Sequence, residues 1–271
     1  MSRSKGPQIG TVKTADFEMD YLTFGHGSRI LVILPGISVQ SVLGTPHAIA
    51  RAYRLLADDF MIYLFDRRKD MPQDYSISSM ASDTAAAMQE IGIGSASIFG
   101  VSQGGMIAMQ IAADHPELVT KLVLGSTSAY VGEEQCTIID GWIAPAKEGD
   151  AAALYLAFCR AIYPENIFEG YRRILAAASA AVTAEDLERF IIACRAAKSF
   201  DIRSRLSAIA CPVLVTGDTD DRIFGAEEAH AIIDGLSPLA ESSLYISEGY
   251  GHAAYDTAPD YKERMLGFLL R

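Results

Sequence analysis

The chain has 271 residues, 50% hydrophobic and 21% charged, with a formal net charge of -11. That is enough chain and apolar content for one large core, or a core with an insertion, and it excludes a disordered or fibrous protein. The acidic excess argues against sequence-independent nucleic-acid binding and against adhesion to anionic membranes, both of which need clustered Lys and Arg.

Read in chain order, the N-terminal stretch "MSRSKGPQIGTVKT" carries basic residues with no apolar segment behind them, so it does not read as a secretory signal. Residues 17–24, "FEMDYLTF", alternate apolar and polar side chains, as a half-buried antiparallel strand does. The runs "ILVIL" (30–34), "FMIYLFD" (60–66), "SASIFGV" (95–101), "KLVLGS" (121–126) and "PVLVTG" (212–217) are short and nearly continuously apolar, the pattern of strands buried on both faces of a parallel sheet. The longest of the strongly apolar runs, 30–34, is far too short to cross a bilayer, and a cytoplasmic location is expected. Between the runs lie helical stretches at 47–59, 78–92 and 104–115.

After Ser126 the alternation stops. Residues 129–206 contain helix-forming stretches such as 151–163 and 184–198, the latter with Leu187, Phe190, Ile191 and Cys194 on one face and Thr183 placed to cap it. The sheet resumes at Cys211, and "SSLYIS" (242–247) with a helix over 261–270 closes the chain. The order strand, helix, strand predicts an α/β fold with a mostly parallel, doubly wound sheet. Residues 1–128 and 207–271 form its core, and 129–206 form a helical cap inserted after the sixth strand. Cys136, Cys159, Cys194 and Cys211 lack Cys-x-x-Cys spacing and read as buried thiols, without disulfide or metal.

The chemistry centres on "FGVSQGG", where Ser102 stands between Gly100 and Gly104 at a strand-to-helix junction. Gly-x-Ser-x-Gly in that context is a nucleophile elbow: the turn is so tight that the flanking glycines avoid clashes, and the hydroxyl is lifted to a helix N-terminus. A serine nucleophile requires a base and the base an orienting carboxylate, in the chain order Ser, acid, His. His26 and His47 precede the serine, His115 reads as a helix-end cation and His230 as a surface residue. His252, in the loop "SEGYGHAAY" after the last strand, is left as the base. The acid lies among Asp218, Asp220 and Asp221 in "VTGDTDDRIF", at least two of which are merely solvated.

With these residues the chain resembles the α/β-hydrolase superfamily, and from Phe17 to Arg271 it is similar to the capped esterase and lactonase branch. The resemblance implies Gly-x-x-Asp spacing after the strand, which selects Asp220 from Gly217, with Asp221 in reserve. It implies an oxyanion hole from the backbone N–H groups of Gln103, after the nucleophile, and Ile37, in "PGI" after the third strand where the family often has His-Gly-x. In "FDRRKDMP", which also resembles the family, Asp66 and Arg67 are expected to form an ion pair holding the loop near the elbow.

The reading that follows is a serine hydrolase cleaving a small or medium ester, lactone or thioester through an acyl-enzyme, with no cofactor and no metal. The alternatives are a carbon–carbon bond hydrolase or perhydrolase using the same triad, or a non-catalytic ligand-binding member of the fold. The expected partner is a small-molecule substrate, with no nucleic acid and no membrane; a homodimer is left open. Helices inserted after the sixth strand should roof Ser102 and form most of the acyl pocket, with Trp142, Leu154, Phe158 and Phe190 partly in its wall and Ser38 as an added polar contact.

Overall fold

The computed structural model describes residues 6–271; residues 1–5, where the N-terminal basic stretch begins, lie outside the described residues. Eight strands form one sheet: β1 (Gln8–Lys13), β2 (Glu18–Gly25), β3 (Arg29–Leu34), β4 (Phe60–Arg68), β5 (Ala96–Val101), β6 (Val119–Gly125), β7 (Val213–Asp218) and β8 (Ser242–Ser247). Their order is β1-β2-β4-β3-β5-β6-β7-β8. β2 pairs antiparallel with β1 and β4, and every other pairing is parallel. β1 escapes a periodicity search because it is an edge strand in which Val12 alone is buried.

The helices are α1 (Pro46–Ala52), α2 (Ile77–Glu90), α3 (Gln103–Asp114), α4 (Glu133–Glu148), α5 (Ala151–Ile162), α6 (Glu165–Ser179), α7 (Ala184–Lys198), α8 (Ala226–Gly235), α9 (Ala254–Thr257) and α10 (Tyr261–Leu270). The continuous apolar runs are explained by burial on two sides. On β3, Leu31 and Ile33 join Tyr53, Leu56 and the α10 residues Met265 and Leu269 on one face. Val32 and Leu34 join Met80 of α2 and Met106 and Ile107 of α3 on the other.

The helix expected over 47–59 stops at Ala52 and becomes a 3-10 turn at Arg54–Leu56. The cause lies in the neighbouring strand. The N–H of His26 donates to the Ala57 carbonyl at 2.9 Å, and a side chain on Gly27 would meet the Asp59 carbonyl carbon at 1.8 Å, so the chain is pulled against β2 before it enters β4.

Four helices, α4 to α7, fall between β6 and β7. The segment leaves and returns through a narrow neck: Tyr130 and Asp201 form an antiparallel bridge, flanked by Val131 N–H to Phe200 O at 3.2 Å and Ile202 N–H to Ala129 O at 2.8 Å. Thr183 caps α7 as expected and Asp186 completes a capping box, its carboxylate accepting the Thr183 N–H at 2.9 Å. α7 is tied to the core by Arg189, whose guanidinium donates to the Arg68 carbonyl at 2.9 Å. Among the described residues, no helix is long and apolar enough to cross a membrane.

Candidate active site

β5 is buried over its whole length and delivers Ser102 to the carboxyl edge of the sheet with φ 54° and ψ -124°, a conformation that a non-glycine residue adopts only at a cost of about 1–3 kcal/mol. Its surroundings hold it there. The Ser102 N–H donates to Gly125 O at 2.9 Å, and the Ser102 carbonyl accepts from Thr127 Oγ1 at 2.7 Å and from Gly105 N–H at 2.9 Å. A Cβ on Gly100 would lie 2.4 Å from Gly104 O, and one on Gly104 would lie 1.9 Å from Leu34 O. Glycine is therefore required at both positions by backbone contact, the second because α3 begins against the end of β3.

His252 sits in a short 3-10 turn after β8 and is 4% exposed. Its Nδ1 faces both oxygens of Asp221, at 3.0 Å and 2.8 Å. Asp221 Oδ1 also accepts the backbone N–H groups of Ile223 at 2.8 Å and Phe224 at 3.0 Å, which fixes the carboxylate toward the ring. The acid at the histidine is thus Asp221 and not Asp220. Asp220 is exposed, its carboxylate accepting the Gly249 N–H at 2.7 Å.

The one-residue displacement has a plain origin. β7 runs through Asp218, not Gly217, so counting three residues from Gly217 lands on the outward side of the turn. Asp218, fully buried, is the hub of that turn: it accepts Ser247 Oγ at 2.7 Å and the N–H groups of Asp220 at 2.9 Å, Tyr250 at 3.2 Å and Gly251 at 3.0 Å.

Ser102 and His252 open into one cavity of about 440 Å³. Ile37, Ser38, Gln103, Trp142 and Phe158 line it too. Gln103 is the first residue of α3, so its N–H has no partner within the helix. Phe190 is displaced from the wall: it stands one layer back, edge-on to Phe158 at 5.4 Å, and Leu154 is likewise fully buried in packing. The α4–α7 segment does not supply most of the wall. Val42, Thr45, Ala48, Ile49, Ala52 and Tyr53 of the core line it as well, and their signal in the sequence was the apolar and small face of α1 at 45, 48, 49 and 52.

The loop below the site is organised differently from the expected ion pair. Among the described residues Asp66 and Arg67 make no side-chain bond to each other. Asp66 accepts Ser41 Oγ at 2.5 Å and the Arg67 backbone N–H at 2.8 Å. The buried Arg67 guanidinium, its pKa lowered by desolvation, donates to Pro35 O at 2.8 Å and to Gln103 Oε1 at 3.1 Å. Gln103 Nε2 donates to Ala193 O of α7 at 2.6 Å. One chain of bonds therefore joins the loop after β3, the start of α3 and the inserted helices.

Residues 30–259 match the family model described as "alpha/beta hydrolase fold". The chain belongs to this family. It is an alpha/beta hydrolase enzyme, and its eight-stranded, mostly parallel sheet with flanking helices is of that fold. Among curated relatives it is 28% identical to RutD of Agrobacterium fabrum, provisionally named a carbamate hydrolase, over 227 residues covering 79% of this chain and 85% of that protein. It is 24% identical to 3-oxoadipate enol-lactonase 2 of Acinetobacter baylyi over 261 residues, 90% of this chain and 94% of that protein. Of solved structures, the enol-lactonase from Burkholderia xenovorans LB400 superposes with a TM-score of 0.82 at 19% identity, covering 97% of this chain and 100% of that one, a likeness of fold.

Proposed function

We propose that this alpha/beta hydrolase is a serine hydrolase acting on a small or medium ester, lactone or thioester through an acyl-enzyme. The observation that carries the reading is the pairing of His252 Nδ1 with Asp221 at 2.8 Å, His252 itself lining the cavity that Ser102 enters on its strained turn. Held by Asp221, the ring keeps its proton on Nδ1 and leaves Nε2 free to accept one. Ser102 Oγ attacks the carbonyl carbon while its proton passes to Nε2. The carbonyl oxygen, now negative, is met by the N–H groups of Gln103 and Ile37, aided by the N-terminal end of the α3 dipole. Collapse of the tetrahedral species breaks the bond to the leaving group, which takes the proton from Nε2. Water, deprotonated by the same nitrogen, then attacks the acyl-serine, and its second collapse releases the acid and restores Ser102.

The names of the relatives, a lactonase and a carbamate hydrolase, support acyl transfer to water rather than a binding role. So does the presence of nucleophile and base in one cavity with the acid buried against the histidine, which a receptor does not need. The helices α4–α7 act in this reading as a cap over the serine. A fluorophosphonate probe should label Ser102, and Ser102→Ala should remove both the labelling and the hydrolysis of para-nitrophenyl acetate. Unchanged turnover in that variant would exclude Ser102 as the nucleophile.

A further inference from the structure

Among the described residues, the cavity lining holds one carboxylate and no lysine or arginine. The carboxylate is Asp256, at an exposed position, and Lys262, outside the lining, lies close enough to feel its charge. Three cations stand around the cavity without entering the lining. Arg67 donates to Pro35 O and Gln103 Oε1 and lines a neighbouring recess. Lys262 donates to the Tyr255 carbonyl and lies 5.2 Å from the centre of the Tyr53 ring, so that ring stands against its ammonium group. Arg222 lines a neighbouring recess shared at Ile162 and Tyr163, where Glu165 and Asp220 accompany it.

The wall itself is apolar on both sides of Ser102: Met106, Trp142 and Phe158 toward the inserted helices, Ile49 and Leu64 toward α1. Tyr53, Tyr163 and Tyr255 line the cavity too. Burial, reinforced by the Asp256 charge, raises all three phenols, so they stay neutral donors and add no charge. A carboxylate carried into this space would lose its water, find no cation among the described lining residues to pair with, and meet Asp256.

We infer that the cavity selects uncharged substrates, esters or lactones whose groups beyond the scissile carbonyl are apolar, and that it rejects those bearing a free carboxylate, with Asp256 reinforcing the rejection at the rim. The inference rests on the serine hydrolase reading and narrows its substrate class.

Three para-nitrophenyl esters of matched length test it on the intact protein: the 5-methylhexanoate, the hemiglutarate, which replaces the terminal branch by a carboxylate of the same shape, and the methyl glutarate diester, which is polar but neutral. The expected kcat/KM of the hemiglutarate is about 100-fold below that of the 5-methylhexanoate, with the methyl diester within about tenfold of the latter. Asp256→Asn should narrow the gap about threefold, chiefly through KM. A hemiglutarate within about threefold of its isostere in the wild-type enzyme would overturn the inference, and an unchanged gap in Asp256→Asn would remove Asp256 from it. Para-nitrophenyl acetate, whose acyl group carries nothing beyond a methyl, separates this from the parent reading: no Ser102-dependent acetate turnover would sink the hydrolase proposal itself.

Discussion

Asp218 accepts the backbone N–H of Gly251 at 3.0 Å, one residue before the histidine whose ring is held by Asp221. Two carboxylates three residues apart therefore share the placement of one imidazole, the first through the main chain and the second through the ring.

Substitution should separate those roles. Asp221→Asn is expected to lower kcat about 10³–10⁴-fold with little change in Tm, because an amide can present its NH2 to Nδ1 and favour the wrong tautomer. Asp220→Asn should stay within about threefold of wild type. Asp218→Asn should lower Tm and activity together, since it weakens a carboxylate accepting four hydrogen bonds in a fully buried site. Thermal melts beside ester turnover give the ranking, and a larger kcat loss for Asp220→Asn than for Asp221→Asn would contradict the assignment.

Strain at the elbow makes a second prediction. With φ 54° and ψ -124°, Ser102 occupies backbone space that glycine enters freely, so Ser102→Gly should abolish turnover while Tm equals or exceeds that of the wild type. A clear drop in Tm would mean that the side chain contributes to folding.

Two glycines in helices should respond in opposite directions to alanine. Gly141, exposed in α4, has nothing within 4 Å of an added Cβ, and Gly141→Ala should stabilise by about 0.5–1 kcal/mol. Gly104→Ala would drive a methyl to 1.9 Å from Leu34 O, forcing α3 and the loop after β3 apart, with loss of both stability and activity. Chemical denaturation of the two variants checks this, and a tolerated Gly104→Ala would contradict the close approach.

Of the four thiols expected to be buried, Cys159 and Cys194 are, while Cys136 and Cys211 are half-buried. The free Cys159 and Cys211 thiols are pushed up by desolvation to about 12 and about 11, and Cys194 is raised further. Below pH 9 these thiols stay protonated, and thiolate is the reactive form. Iodoacetamide at pH 8 should leave all three unmodified in the native protein and alkylate them after denaturation, as peptide mass spectrometry would show. Rapid native labelling of Cys194 would count against the packing around it.

Much of the fold and part of the site were legible before any coordinates. Doubly buried strands announce themselves as apolar runs, and Gly100, Ser102 and Gly104 read as an elbow because a buried strand precedes that spacing and a helix follows it. The acid could not be read from spacing alone, since each residue by which a strand extends rotates the next turn, and the extension through Asp218 comes from pairing with Ser247 on β8. Nor could the wall from α1 be found by looking for a cap: Ala48 and Ala52 carry too little side chain to stand out. Phe190 misled for the reverse reason, as a large aromatic on an apolar helix face is as useful behind a wall as in it.

The bridge between Tyr130 and Asp201 brings the two ends of a helical excursion of some seventy residues within hydrogen-bonding distance, so β6 and β7 experience it as they would a short hairpin loop. Such a neck uncouples the length and sequence of the excursion from the register of the sheet. Descendants of this chain could gain, lose or exchange those helices, and with them part of the cavity wall, while the serine, histidine and aspartate stay where the strands place them. The parts of the wall donated by α1 have no such freedom, because α1 is woven between β3 and β4. Selectivity should therefore drift fastest on the excursion's side of the cavity.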